Sequence, residues 1–133
     1  VCAQSTAEAE IIAATDCVKE VIHTRLMLKE LGYGDAVSKP TVVYEDNVAA
    51  RLMATGQKSH RGAKHFETRL RFLQDHTTGT NVQFTQIPTG DQLADIFTKP
   101  LPPDAFNKFA NHLVNIPSVI GGALGGSDKI ASL

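Results

Sequence analysis

Apolar positions along the chain change their period several times, and each change marks an element. Ala14, Cys17, Val18 and Val21 recur three and four residues apart, which puts them on one stripe of a helix. Ahead of them, Ser5-Thr6-Ala7-Glu8 has the form of a capping box, in which hydroxyl and carboxylate satisfy each other's backbone N–H groups. The pattern predicts a helix from Ser5 to about Leu31, stopped by Gly32 and Gly34. Thr41-Val42-Val43-Tyr44-Glu45 is β-branched and aromatic and predicts a strand, and Asn47 is suited to cap a short helix from Val48 to about Ala54. A helical stretch from about Ala63 to Asp75 carries Phe66, Leu70 and Leu73 on one face and is broken by Gly79. Val82 to Ile87 alternates apolar and polar, predicting a second strand closed by Pro88. Two more helices are expected. One runs from about Asp91 to Thr98, before Pro100, and one from about Asp104 to Val114, burying Phe106, Phe109, Ala110 and Leu113.

The fold class that follows is α/β, with two strands and about five helices, and helical crossovers imply that the strands are parallel. A parallel pair is a poor sheet by itself, since both faces need cover and further strands usually flank it. The expectation is a partial domain over 1–116, with something missing from its sheet, followed by a Gly/Ser-rich tail over 117–133 that is flexible or ordered only against a partner. The start at Val1 instead of Met fits processing, an incomplete gene or a piece of something longer.

Composition narrows the class further. A chain of 133 residues, 42% hydrophobic and 20% charged, suits one small globular domain. The net charge of −1 gives no global attraction to nucleic acid, so any such binding must come from a local patch. No apolar run approaches the roughly 20 residues of a membrane span. Cys2 and Cys17 form neither a CxxC motif nor a disulfide framework and read as buried or free thiols in a reducing, intracellular compartment. His60 and His65 lack the further N or S ligands a zinc site needs.

Three acids stand out by position. Glu10 precedes Ala14 and Cys17 at helical spacing and is expected to head the buried stripe, whereas Glu8 lines up with Ile12, Thr15 and Lys19 on a mixed face and is accounted for by capping. Asp46 follows the first strand, at the carboxyl end where open α/β sheets place ligands. Asp95 lies one turn after Asp91 in the helix expected behind the second strand. Taken singly, each has a structural reading: an ion pair, a turn cap, or a favourable charge at a helix N-terminus. Between Lys58 and Arg71 the cations Lys58, Arg61, Lys64, Arg69 and Arg71 face only one acid, Glu67, which fits either a nucleic-acid contact or a solvated helix face.

Read in order, these stretches resemble a known family. Gln4-Ser5-Thr6-Ala7-Glu8-Ala9-Glu10, Tyr44-Glu45-Asp46-Asn47, Lys64-His65-Phe66 with Arg61 before it, and the run from Ile87-Pro88-Thr89 through Asp91-Gln92-Leu93-Ala94-Asp95 to Lys99-Pro100-Leu101-Pro102 are similar, in sequence and spacing, to motifs of the ribonuclease H domain of Ty1/copia-type retrotransposon Pol polyproteins. The resemblance runs from about Val1 to Val114 and is to the C-terminal part of that domain; Glu67 departs from the Asp common after the Lys-His motif. It implies a ribonuclease H-like fold and hydrolysis of the RNA strand of RNA–DNA hybrids with two Mg²⁺ ions, one activating water and the other stabilising the leaving oxygen. Hard Mg²⁺ takes oxygen ligands. By the same resemblance Glu10, Asp46 and Asp95 are catalytic metal ligands, and Arg61, Lys64 and His65 contact the nucleic acid.

The family's fourth acid, an aspartate on a first strand preceding these motifs, has no counterpart here, and the three strands of that segment are absent too. The expectation is therefore a chain ancestrally a reverse-transcription ribonuclease H but inactive in isolation, its sheet completed by another protein chain. The alternative is a domesticated, non-catalytic subunit or scaffold in a larger assembly.

Overall fold

The computed structural model describes residues 6–59 and 64–114, which fall in two compact units divided after Ile87. In the first unit, helix α1 spans Thr6–Glu30, strand β1 Thr41–Glu45, helix α2 Val48–Ala54, helix α3 Lys64–Thr78 and strand β2 Val82–Gln86. The strands pair in parallel with Thr41 opposite Val82 and Glu45 opposite Gln86, as expected from the helical connection between them. Among the described residues the sheet has these two strands alone.

The register puts Thr41, Val43 and Glu45 on the same face as Val82, Phe84 and Gln86. That face meets the helices: Val82 and Phe84 are buried with Ile11, Ala14 and Val18 of α1, Ala50 and Met53 of α2, and Phe66, Leu70 and Leu73 of α3, and Val43 packs against the same cluster. The opposite face carries Val42 and Gln83, both exposed. Arg25 ties the helix to the strand's entry. Its guanidinium donates to the carbonyls of Val37 and Lys39, both at 2.8 Å, and to the Thr41 hydroxyl at 3.0 Å.

All three helices of this unit end in the same hydrogen-bond pattern, in which the third residue past the helix reaches back five residues. For α1, Gly32 sits at φ +91° and Tyr33 N–H donates to Leu28 O; for α2, Gly56 sits at φ +77° and Gln57 N–H donates to Leu52 O. For α3 the residue in the left-handed conformation is Thr80, at φ +63°, with Asn81 N–H donating to His76 O. Gly79, the expected breaker, serves a different need: a Cβ there would lie 2.9 Å from the Asp75 carbonyl oxygen.

Several expectations are corrected. The buried stripe of α1 is centred on Ile11, Thr15 and Val18, so Glu8 is buried and Glu10 is half-buried at its flank, the reverse of the order expected. Cys17 is exposed and Val21 half-buried for the same reason. The helix expected from Asp91 to Thr98 is two short 3₁₀ segments, Thr89–Asp91 and Leu93–Phe97, because Gln92 between them is extended at ψ 101°. The described residues thus hold four α-helices instead of about five. In the second unit, helix α4 spans Pro103–Leu113 and buries Phe109, while Phe106 and Leu113 are 49% and 43% exposed. Ser5 and the tail over 117–133 lie outside the described residues. No described helix is long and apolar enough to cross a membrane.

Candidate metal centre

At the carboxyl end of β1 the chain turns sharply into α2, and the turn is built from its own side chains. Asn47 caps α2, its Oδ1 accepting from Ala50 N–H at 2.9 Å, and its own N–H donates to Glu45 Oε1 at 2.9 Å. Gln86, beside Glu45 in register, donates from Nε2 to the Asp46 carbonyl at 2.8 Å and accepts from Arg51 Nε at 3.0 Å. The backbone at Asp46 is thereby held from the neighbouring strand and from the helix that follows.

These constraints gather three carboxylates. Glu10 from the second turn of α1 joins Glu45 and Asp46, with one oxygen of each lying within 4.8 Å of the others. Glu45 is buried, only 5% exposed. Its burial, opposed by the Asn47 N–H and reinforced by the charges of Glu10 and Asp46, pushes its carboxyl up to about 7. A cluster of hard oxygen donors whose charges repel one another suits a divalent cation.

Glu45 was legible in the sequence only through alternation. Val43 faces the core, so the residue two further on faces it too, yet Glu45 reads at first as the polar end of a strand. Asp95 lies in the second unit, in the segment Leu93–Phe97. It is buried there, and its Oδ2 accepts from Lys99 Nζ at 3.2 Å, one helical turn on.

The cations expected to meet nucleic acid divide around α3. Lys64, its first residue, lines a cavity with Lys58 and Arg71, whereas His65 lines another with Lys19, Arg69 and Phe72. Arg61 lies outside the described residues.

Comparison with known proteins adds relatives of one kind. The chain is 31% identical over 123 residues, 91% of its length, to a retrovirus-related Pol polyprotein from transposon RE2 of Arabidopsis thaliana. It is 34% identical over 104 residues, 78% of its length, to that from transposon TNT 1-94 of Nicotiana tabacum. It is 27% identical over 111 residues, 84% of its length, to the truncated transposon Ty1-A Gag-Pol polyprotein of Saccharomyces cerevisiae. The chain spans only 8%, 8% and 9% of the lengths of these relatives. No family model matches it, and no solved structure matches it.

Proposed function

The chain is homologous over most of its length to part of Ty1/copia-type retrotransposon Pol polyproteins, and from that premise we propose that it is a ribonuclease H-like segment. Its ancestral reaction is hydrolysis of the RNA strand of an RNA–DNA hybrid. The observation that carries this reading is the meeting of Glu10, Glu45 and Asp46 oxygens within 4.8 Å at the carboxyl end of a parallel strand.

Glu10, Glu45 and Asp46 are the ligands the first unit offers, whereas for Asp95 the ligand role rests on the family resemblance alone. When bound, divalent ions such as Mg²⁺ stabilise the charge that develops on a phosphodiester as it is cleaved. The chain's own residues prepare the place for them. Asn47 N–H holds the Glu45 carboxylate in one orientation, and Gln86 with Arg51 holds the Asp46 turn, so the donors are positioned before any ion arrives. Lys64 and His65, with Arg61 near them in sequence, meet the phosphates of the hybrid.

In isolation the chain holds one ion at Glu10, Glu45 and Asp46 and does not cleave. Three acids, one of them half-neutralised near pH 7, would hold a single cation more readily than a pair. The test is an assay of the purified chain on a labelled RNA–DNA hybrid with Mg²⁺ or Mn²⁺, alongside Mn²⁺ titration. Expected are no cleavage and one bound Mn²⁺, lost in Asp46→Asn. Cleavage abolished by Asp46→Asn would show that the isolated chain assembles the full centre; no Mn²⁺ binding would remove the metal reading.

A further inference from the structure

The run of cations around α3 does not form one surface. Lys64, Thr68, Arg71 and Gln74 follow at three- and four-residue spacing, and together with Lys58 and Ser59 they line a cavity of about 520 Å³. His65 faces away from it, toward a second cavity shared with Phe72 and Lys19. Periodicity along α3 alone separates these two sides, while the membership of Lys58 is decided by how the segment after α2 returns to the helix.

The first cavity has the chemistry of an oxyanion site. It brings together three cations against one carboxylate, Glu67, and Lys58, Lys64 and Arg71 are all exposed. None of the three is in an ion pair among the described residues, whereas Lys19, Lys99 and Lys108 each have an acid within 3.2 Å. Lys64 opens a fifteen-residue helix, whose dipole adds to the positive potential there. Gln74 is fixed by donating to the Met53 carbonyl at 3.0 Å, which ties the wall of the cavity to α2. The Thr68 hydroxyl is used on the Lys64 carbonyl at 3.1 Å, so anion recognition falls to the cations and Ser59.

We propose that Lys58, Lys64 and Arg71 seat a backbone phosphate of a nucleic-acid strand in this cavity, an inference that rests on the hybrid-binding reading above. Two ammonium groups and a planar guanidinium suit a tetrahedral oxyanion. None of the lining residues is aromatic, so the cavity offers no ring on which a base stacks and reads the backbone without regard to sequence. Glu67 weakens the site by opposing the phosphate charge.

The experiment measures binding of a fluorescein-labelled RNA–DNA hybrid to the full chain by anisotropy, in chelator, across a salt series. Lys58→Ala/Arg71→Ala is compared with Glu67→Gln and with Lys29→Ala, an exposed lysine on α1 that serves as control. Circular dichroism checks that each variant keeps its fold. The double variant is expected to weaken binding at least about tenfold and to lower the salt slope by about one to two. Glu67→Gln is expected to tighten binding, and Lys29→Ala to leave it unchanged. A double variant that matches Lys29→Ala in affinity and slope overturns the pocket, as does a chain that binds no hybrid. The parallel Mn²⁺ titration separates the two readings: Mn²⁺ bound through Asp46 with hybrid affinity indifferent to Lys58 and Arg71 removes the phosphate pocket alone. Pocket-dependent binding with no Mn²⁺ site removes the hydrolase reading alone.

Discussion

Gln86 and Asp46 lie on neighbouring strands' ends, and the Gln86 Nε2 donates to the Asp46 carbonyl at 2.8 Å. The bond matters because Asp46 leaves its strand at that point, where the ladder no longer holds the backbone. With Arg51 fixing the far side of the Gln86 amide at 3.0 Å, one side chain couples β2, the turn and α2. Gln86→Leu keeps the bulk and removes both bonds. The expected result is a fall of several-fold in Mn²⁺ affinity with a stability loss of only about 0.5–1.5 kcal/mol, since the residue is exposed. Isothermal titration and urea melts measure the two; unchanged Mn²⁺ affinity would show that the turn is held without it.

Glu45 makes the metal-free chain sensitive to pH. Its carboxyl is raised from 4.5 to about 7, first by burial and then by Glu10 and Asp46, so the folded state holds a proton that the unfolded state has already released. Stability is therefore greatest below about 4.5, declines between about 4.5 and about 7, and is level above that as far as this group is concerned. Glu45→Gln keeps an acceptor for Asn47 N–H and removes the charge. In chelator the variant should be more stable than the parent at pH 8, by about 1–2 kcal/mol after allowance for solvent screening, and equal to it near pH 4. Equal melts at pH 8 would mean that Glu45 ionises without penalty.

Thr80 carries a strain that glycine relieves. A β-branched residue at φ +63° places its Cβ against the backbone, and no second role is visible for its exposed side chain. Thr80→Gly should stabilise the chain by about 0.5–1 kcal/mol. Gly79→Ala should do the opposite, because the added Cβ would sit 2.9 Å from the Asp75 carbonyl oxygen, a backbone atom that yields only if the helix end shifts. Thermal melts of the two variants should move in opposite directions.

Arg25 tests how the long helix positions the sheet. Its guanidinium meets two carbonyls and one hydroxyl at 2.8–3.0 Å, a geometry that a single ammonium does not reproduce. Arg25→Lys should cost about 1–2 kcal/mol and speed amide exchange at Thr41, whose N–H bonds to Asn81 O at the start of the ladder. Exchange at Thr41 equal to that of the parent would show that the strand's entry is fixed by pairing alone.

The sequence by itself determined the order of helices and strands in the first unit, through local signals: Asn47 at the cap of α2, the β-branched run of β1, the alternation of β2. It also carried the parallel pairing, because long helical connections between strands are the ones that parallel neighbours need. Only tertiary packing decided the rotation of α1. Ile11, Ile12, Ala13 and Ala14 make its second and third turns apolar on several sides, so periodicity cannot choose a face, and the sheet buried Ile11, Thr15 and Val18. That choice buried Glu8 and left Glu10 at the flank, where its carboxylate reaches Glu45 and Asp46. The helix expected behind β2 failed for a related reason: a single extended residue, Gln92, interrupts it, and a local pattern of helix formers does not register one residue held elsewhere by its surroundings. The division of the α3 cations into two sides follows from helical periodicity, whereas the presence of Lys58 beside Lys64 and Arg71 in one cavity was settled in three dimensions.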